Sequence, residues 1–316
     1  MEIVACLDHN FVMPTGVMMK SVCVNNENGE VNFHLIVDSS FTEGDKRIIQ
    51  DIADSANNHV SVYTIDEEFF TNMPGLGWRS DITKATFYRL WLAKILPETL
   101  DKVIYLDGDI IVRGSLKPIW EENVWDYAVG AVLYIVKPEA ECLRLGYSKE
   151  LGYFNAGVMV VNLKYWRENN VVQEFDSFIK NYYDRVIWQD QDVLNYVFAG
   201  KVLWLPIEYN IVAGFLCKCG ENDIVCQESF KKALENPVVI HYSMGKPWYK
   251  GNRHPFRSSF FKYRAQTIWK DEPLQERRPW SLRIKKAIGG ILRKFHIIPE
   301  LPPYGKGYIS GLSPLD

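Results

Sequence analysis

Apolar positions in the first hundred residues follow two alternating patterns: short unbroken runs, and longer stretches with apolar residues three and four apart. Residues 2–7 form the first run, which ends at Asp8 and Asn10 and predicts a buried strand. A helix is expected over 14–25 and a second strand over 31–37. An amphipathic helix follows over 42–56, where Ile48, Ile49 and Ile52 share a face. A third strand is expected at 60–65. Tyr88, Leu92 and Ile95 make one stripe of a helix over 83–95, closed by Pro97, and 102–106 is a fourth strand. This alternation predicts an α/β fold with a parallel sheet covered by helices on both faces. In such sheets ligands bind beyond the carboxyl ends of the strands. Asp8 and Asn10 after the first strand, and Asp107 and Asp109 after the fourth, are therefore candidates to line one crevice.

Past residue 125 the alternation loosens. Residues 153–162 read as a buried strand entered through small residues, where a ligand can approach the backbone closely. Trp188-Gln189-Asp190-Gln191-Asp192 opens a helix, and its Asp and Gln residues suit capping as well as chemistry. Residues 238–241 form a strand ending on His241, ahead of Gly245-Lys246-Pro247-Trp248.

Asp107-Gly108-Asp109 lies between two apolar runs, 103–106 and 110–112. One reading is a hairpin, because Asp-Gly is a frequent turn between paired strands. The other is a divalent-cation site. Unpaired buried carboxylates are costly, and no Lys or Arg lies inside the run to offset them. A hard cation completed by a diphosphate would do so. The sequence has neither G-x-x-x-x-G-K-[ST] nor a G-x-G-x-x-G after the first strand, so a bound nucleotide would need a metal to neutralise its phosphates.

Length allows one large or two modest domains, and 47% hydrophobic with 24% charged residues fits a globular chain. The net charge of −3 hides an asymmetry. Residues 277–316 hold eight basic and two acidic residues, a net of +6, which leaves −9 for residues 1–276. The acidic body argues against nucleic-acid binding. No apolar stretch is long enough to span a membrane, and the N-terminus lacks a secretory pattern. Six mostly scattered cysteines then suggest a reducing, cytoplasmic setting. Cys217, Cys219 and Cys226 cluster, with His241 available as a fourth ligand, but their spacing matches no common zinc pattern and they read as reduced thiols.

Several pieces in order resemble the retaining glycosyltransferases of family 8, which include bacterial lipooligosaccharide galactosyltransferases and glycogenin. They are Ile3-Val4 through Asp8-His9-Asn10, Arg89-Leu90, Val103 through Asp109, Phe154-Asn155-Ala156-Gly157-Val158, Trp188 through Asp192, and His241-Tyr242 with Lys246-Pro247-Trp248. The resemblance covers most of residues 1–250. It implies a Rossmann-like nucleotide-binding sandwich of glycosyltransferase A type, with a mixed, mainly parallel sheet. It also implies transfer of a hexose from UDP-glucose or UDP-galactose to a glycan or lipid-linked saccharide, with retained configuration. Asp107, Asp109 and His241 would ligate Mn²⁺, or else Mg²⁺. Lys246, beside Gly245, would meet the phosphates, and Asp8 and Asn10 the uridine. Arg89 and Asp190 would hold the donor sugar, with Gly108 and Asn155 also lining the donor site. Gln191 would lie at the anomeric carbon. Gln191 is an amide and a poor nucleophile, so same-face substitution is expected, with attack by Asp190 as the alternative. Two departures stand out. Tyr134 stands near the place where many relatives carry an aspartate that contacts the hexose, and the spacing from His241 to Lys246 is one residue shorter. A sugar-nucleotide pyrophosphorylase or a non-catalytic carbohydrate-binding protein are the competing functions. The first usually has a glycine-rich basic loop after strand one, which Asp8-His9-Asn10-Phe11 lacks.

Trp280, Ile284, Ile288, Ile291, Leu292 and Phe295 recur at three and four, with Arg283, Lys285, Lys286, Arg293 and Lys294 around them. Such a basic amphipathic helix suits an anionic membrane surface. Two units are therefore expected: a transferase domain over 1–276 and a membrane-association tail over 277–316, with residues 280–295 on the inner face of the cytoplasmic membrane.

Overall fold

The computed structural model describes residues 1–26, 31–65, 84–134, 138–216, 228–243 and 245–276. The expected tail and the Cys217, Cys219 and Cys226 cluster lie outside them. The strands are β1 (Glu2–Leu7), β2 (Asn32–Val37), β3 (His59–Thr64), β4 (Lys102–Leu106), β5 (Ile110–Val112), β6 (Val129–Leu133), β7 (Phe154–Asn162), β8 (Val202–Trp204), β9 (Ile211–Val212) and β10 (Val239–His241). The helices are α1 (Val12–Asn25), α2 (Glu43–Asp54), α3 (Leu92–Ile95), α4 (Lys117–Glu121), α5 (Pro138–Leu145), α6 (Leu163–Glu168), α7 (Val171–Tyr182), α8 (Asp190–Val197), α9 (Glu228–Glu235) and α10 (Arg257–Arg264).

Seven strands form one sheet in the order β3-β2-β1-β4-β7-β6-β8, and β5, β10 and β9 form a second. Within the large sheet only β7 runs against its neighbours, β4 and β6. The sheet is therefore mixed and mainly parallel, as the resemblance implies, and the parallel sheet read from local pattern holds except at β7. Local apolar pattern encodes burial but not direction, because the long excursion that returns β7 antiparallel leaves no trace within the strand.

Alternate residues of each strand face opposite cores, as the pleat requires. Ile104 and Leu106 of β4 join Ile3, Ala5 and Leu7 of β1 in one core, beneath α1, α2, α10 and the small sheet. Val103 and Tyr105 face the other way, with Val4 and Cys6, toward α7 and α8. Sequence order reverses where β1 lies beside β4, and the carboxyl ends of these two strands open a crevice there.

Two local structures differ from expectation. The stripe over 83–95 is a 3₁₀ helix across Lys84–Trp91, followed by the single turn α3. Phe87, Tyr88, Arg89, Leu90 and Trp91 are all buried, so packing on every side overrides the one-face pattern. Long 3₁₀ runs are uncommon and often mark functional segments. Asp107-Gly108-Asp109 is not a hairpin turn. β4 pairs with β1 and β7, whereas β5 pairs with β10, so the three residues carry the chain from one sheet to the other.

Candidate active site

The inter-sheet step brings Asp107 and Asp109 against His241 at the end of β10, with one ligand atom from each residue mutually within 4.8 Å. Nε2 of His241 lies 3.5 Å from Asp107 Oδ2 and 3.4 Å from Asp109 Oδ1. The other oxygen of each carboxylate is taken by a cation. Arg89 Nη2 holds Asp107 Oδ1 at 2.8 Å, where the Tyr105 hydroxyl also donates at 2.9 Å, and Lys246 Nζ pairs with Asp109 Oδ2. Each carboxylate thus offers one inner oxygen toward the imidazole, and the three inner atoms converge. The positive groups missing from the local run come from 18 residues before Asp107 and, for Asp109, from 137 residues along the chain.

The opposite ring nitrogen of His241 is fixed as well. Nδ1 lies 3.1 Å from Asn155 Oδ1 and 3.2 Å from Asn210 Oδ1, two atoms that only accept, so Nδ1 donates to them and the ring is held with Nε2 turned toward Asp107 and Asp109. Metal-binding imidazoles are commonly oriented this way by an outer acceptor. Two carboxylates and an imidazole are a donor set that suits a divalent cation of manganese type, and three inward atoms leave further positions open. The residues present fit such an ion.

Two glycines make this packing possible. A Cβ on Gly157 would stand 2.2 Å from His241 Cε1, so the close approach expected at β7 is made by the protein's own imidazole. A Cβ on Gly108 would stand 2.4 Å from Thr15 Oγ1 on α1.

Arg89 joins the carboxylate–imidazole cluster to Asp190. Its Nε lies 2.9 Å from Asp190 Oδ2, its Nη1 donates to the Ala156 carbonyl at 3.0 Å, and its guanidinium sits over the Tyr105 ring. Burial lifts the Asp190 carboxyl to about 7, with Arg89 opposing that rise and Asp107 adding to it. Burial also acts to raise Asp109, but Lys246 and His241 outweigh it and hold this carboxyl well below the usual range. Removing Arg89 would leave two poorly solvated carboxylates without their cation, a loss worth about 3–5 kcal/mol in buried pairs.

Gln189 precedes α8 with φ +54°, a conformation costing a non-glycine residue about 1–3 kcal/mol, and this bend starts the helix at Asp190. Gln191 Oε1 accepts from Asn155 Nδ2 at 2.8 Å and from the Ala156 N–H at 3.1 Å, and its Nε2 donates to the Tyr153 hydroxyl at 3.0 Å. Both lone pairs of the amide oxygen are engaged.

The remaining expected residues lie nearby in the chain path. Asp8 is buried at the end of β1 and caps the following turn by accepting from the Phe11 N–H at 3.1 Å; Asn10 is exposed on that turn. Gly245 is partly buried beside Lys246. Tyr134 follows β6 and packs against Tyr153 and Phe215. The sequence reading did not single out Asn210, Tyr105, Tyr153 or Arg144. Asn210 lies in an irregular stretch between short elements and gave no periodic signal. Tyr105 was hidden inside an apolar run, although a hydroxyl two residues before Asp107 was the available hint.

The family model for glycosyl transferase family 8 matches residues 2–251, and the chain belongs to that family. The lipopolysaccharide 1,2-glucosyltransferase of Escherichia coli K12 is 28% identical over 297 residues, covering 92% of this chain and 85% of that protein. General stress protein A of Bacillus subtilis is 25% identical over 275 residues, covering 85% and 94%. The crystal structure of galactosyltransferase LgtC with donor and acceptor sugar analogs superposes with a TM-score of 0.75 at 26% identity, covering 90% of this chain and all of that one. The fold is the glycosyltransferase A type seen there.

Proposed function

We propose that the protein is a retaining hexosyltransferase that moves glucose or galactose from UDP to a hydroxyl of a lipopolysaccharide-type glycan or lipid-linked saccharide. The observation that carries this reading is the convergence of Asp107, Asp109 and His241 at the sheet reversal, ringed by Arg89, Asp190, Gln191 and Lys246. Relatives described as lipopolysaccharide glucosyl- and galactosyltransferases support the donor and acceptor classes. Membership of a glycosyltransferase family favours transfer over sugar-nucleotide synthesis or carbohydrate binding alone.

Asp107, Asp109 and His241 would hold Mn²⁺, which when bound supplies Lewis-acid stabilisation of the leaving diphosphate. Lys246, beside Gly245 and next to this cluster, is placed to meet the same phosphates as a point charge. Asp8 and Asn10 at the end of β1 would receive the uridine. Gly108 and Asn155 would line the donor site, with Arg89 and Asp190 on the sugar. Gln191, with its amide oxygen already accepting two bonds, lacks a free lone pair to attack the anomeric carbon. Same-face substitution therefore fits better than a double displacement, with a donor phosphate oxygen taking the acceptor's proton. A trapped glycosyl-Asp190 would contradict this route.

A thermal-stability screen with UDP-glucose, UDP-galactose and UDP-N-acetylglucosamine, each with and without Mn²⁺, tests the donor class. At 100 times its dissociation constant the true donor should add about 2.7 kcal/mol. No shift from any UDP-sugar with Mn²⁺ present would overturn the proposal.

The basic segment 280–295 would hold this domain, 1–276, at the cytoplasmic face of an anionic membrane. Among the described residues no helix is long and apolar enough to cross one. Full-length protein should sediment with phosphatidylglycerol vesicles and a 1–276 truncation should not; equal sedimentation would refute the role of the tail.

A further inference from the structure

Asp192 on α8 is wholly buried and met by five donors. Its Oδ1 accepts from the Tyr153 hydroxyl at 2.7 Å and Arg144 Nη2 at 2.8 Å. Its Oδ2 accepts from the backbone N–H groups of Ile187 and Trp188, both at 2.7 Å, and from Arg144 Nη1 at 3.1 Å. The two backbone bonds tie down the turn that leads into the positive-φ Gln189. Arg144 comes from α5, where Glu141 also holds it at 2.6 Å.

The directions of the bonds leading away from Asp192 are all determined. A carboxylate met only by donors takes the Tyr153 proton, and burial beside Asp192 keeps that hydroxyl protonated far above its ordinary range. The Tyr153 oxygen accordingly accepts from Gln191 Nε2. Gln191 Oε1 then faces Asn155 Nδ2, as the Ala156 N–H independently requires. Asn155 Oδ1 is left to accept, and it receives the Gly157 N–H at 3.1 Å, Asn210 Nδ2 at 2.9 Å and His241 Nδ1 at 3.1 Å. Each donor passes its hydrogen the same way, from His241 through Asn155, Gln191 and Tyr153 to Asp192. Chains in which every bond runs in one direction reinforce one another by polarisation.

We propose that the Arg144–Asp192 ion pair is a remote positioning element for the site: acting through Tyr153, it fixes the Gln191 amide and, through Asn155, holds the His241 ring with Nε2 turned toward Asp107 and Asp109. The inference deepens the reading of His241 as a metal ligand and rests on that reading for its functional consequence. Arg144, Asp192 and Tyr153 are positioning residues, because none of them lies among the three converging ligand atoms.

Tyr153→Phe deletes one hydroxyl and keeps the ring in place against Tyr134, while Asp192 retains four donors. Outer-shell changes of this kind typically cost 10–100-fold in metal affinity or activity. The variant should unfold cooperatively like the parent, with kcat down about 10–100-fold, little change in the KM for the UDP-sugar, and Mn²⁺ affinity in the presence of UDP down about tenfold. A second measurement needs no metal. In metal-free protein labelled with ¹⁵N-histidine, the His241 Nδ1 signal, assigned by its loss in His241→Gln, should move between the parent and Tyr153→Phe. Wild-type kcat and Mn²⁺ affinity in Tyr153→Phe would overturn the relay, as would a His241 Nδ1 signal unmoved by that substitution. Failure of the parent to bind Mn²⁺ would instead sink the metal reading, while the Nδ1 signal still decides the relay.

Discussion

Gly157→Ala should abolish metal-dependent turnover while leaving the fold in place. The added Cβ would stand 2.2 Å from His241 Cε1, 2.5 Å from its Nδ1 and 2.9 Å from Asp107 Oδ2. None of these atoms belongs to a freely moving chain end. The ring is clamped by Asn155 and Asn210, and Asp107 by Arg89 and Tyr105. One side must retreat, and either retreat separates the inner oxygen of Asp107 from Nε2. Misplacement of about 1 Å can cost on the order of 100-fold in rate, and overpacking a tight core costs about 1–3 kcal/mol. Turnover and Mn²⁺ affinity should therefore each fall about 100-fold or more, with a modest drop in the denaturation midpoint. Calorimetric Mn²⁺ titration in the presence of UDP checks it; parental affinity would show that the carboxylate–imidazole cluster is not the metal site.

How much of this was legible beforehand varied with the kind of signal. β1 and β4 were readable because each is an unbroken apolar run ending in acidic or amide residues, and a parallel sheet places such ends together. The direction of β7 was not, since strand polarity depends on the connection rather than on the strand. The charge argument for a cation at Asp107 and Asp109 was incomplete. Arg89 and Lys246 already offset both carboxylates, from segments far away in the chain. Support for a metal now rests on geometry: the oxygens left over by those cations converge with His241 Nε2. Arg89 itself was picked out, but on an α-helix; the tighter 3₁₀ winding and burial on all sides come from tertiary packing that no single-face pattern contains. Asp192 stood in a recognised motif and suited a cap. Its actual partners, Arg144 and Tyr153, lie 48 and 39 residues away, and only folding shows that it anchors the Gln191 amide.

The same charge arrangement has a consequence for catalysis. With Arg89 and Lys246 already meeting part of the charge of Asp107, Asp109 and Asp190, a divalent ion brings positive charge that the protein leaves partly unmet. A nucleoside diphosphate would meet it, so the ion and the donor should depend on one another. Stripping the metal should remove turnover by about 100-fold or more, in keeping with several kcal/mol of charge stabilisation on the leaving group.

The central claim, a metal-dependent retaining transfer from a UDP-hexose, is tested most directly by proton NMR of the anomeric signal. UDP-glucose and UDP-galactose would be supplied separately to the full chain with Mn²⁺, then with EDTA, then with Mn²⁺ restored. From one of the two donors, the first sugar product should be the α-anomer, its formation should stop with EDTA, and Mn²⁺ should bring it back. Absence of UDP release from both donors, a β-anomer formed first, or turnover indifferent to EDTA would contradict the account.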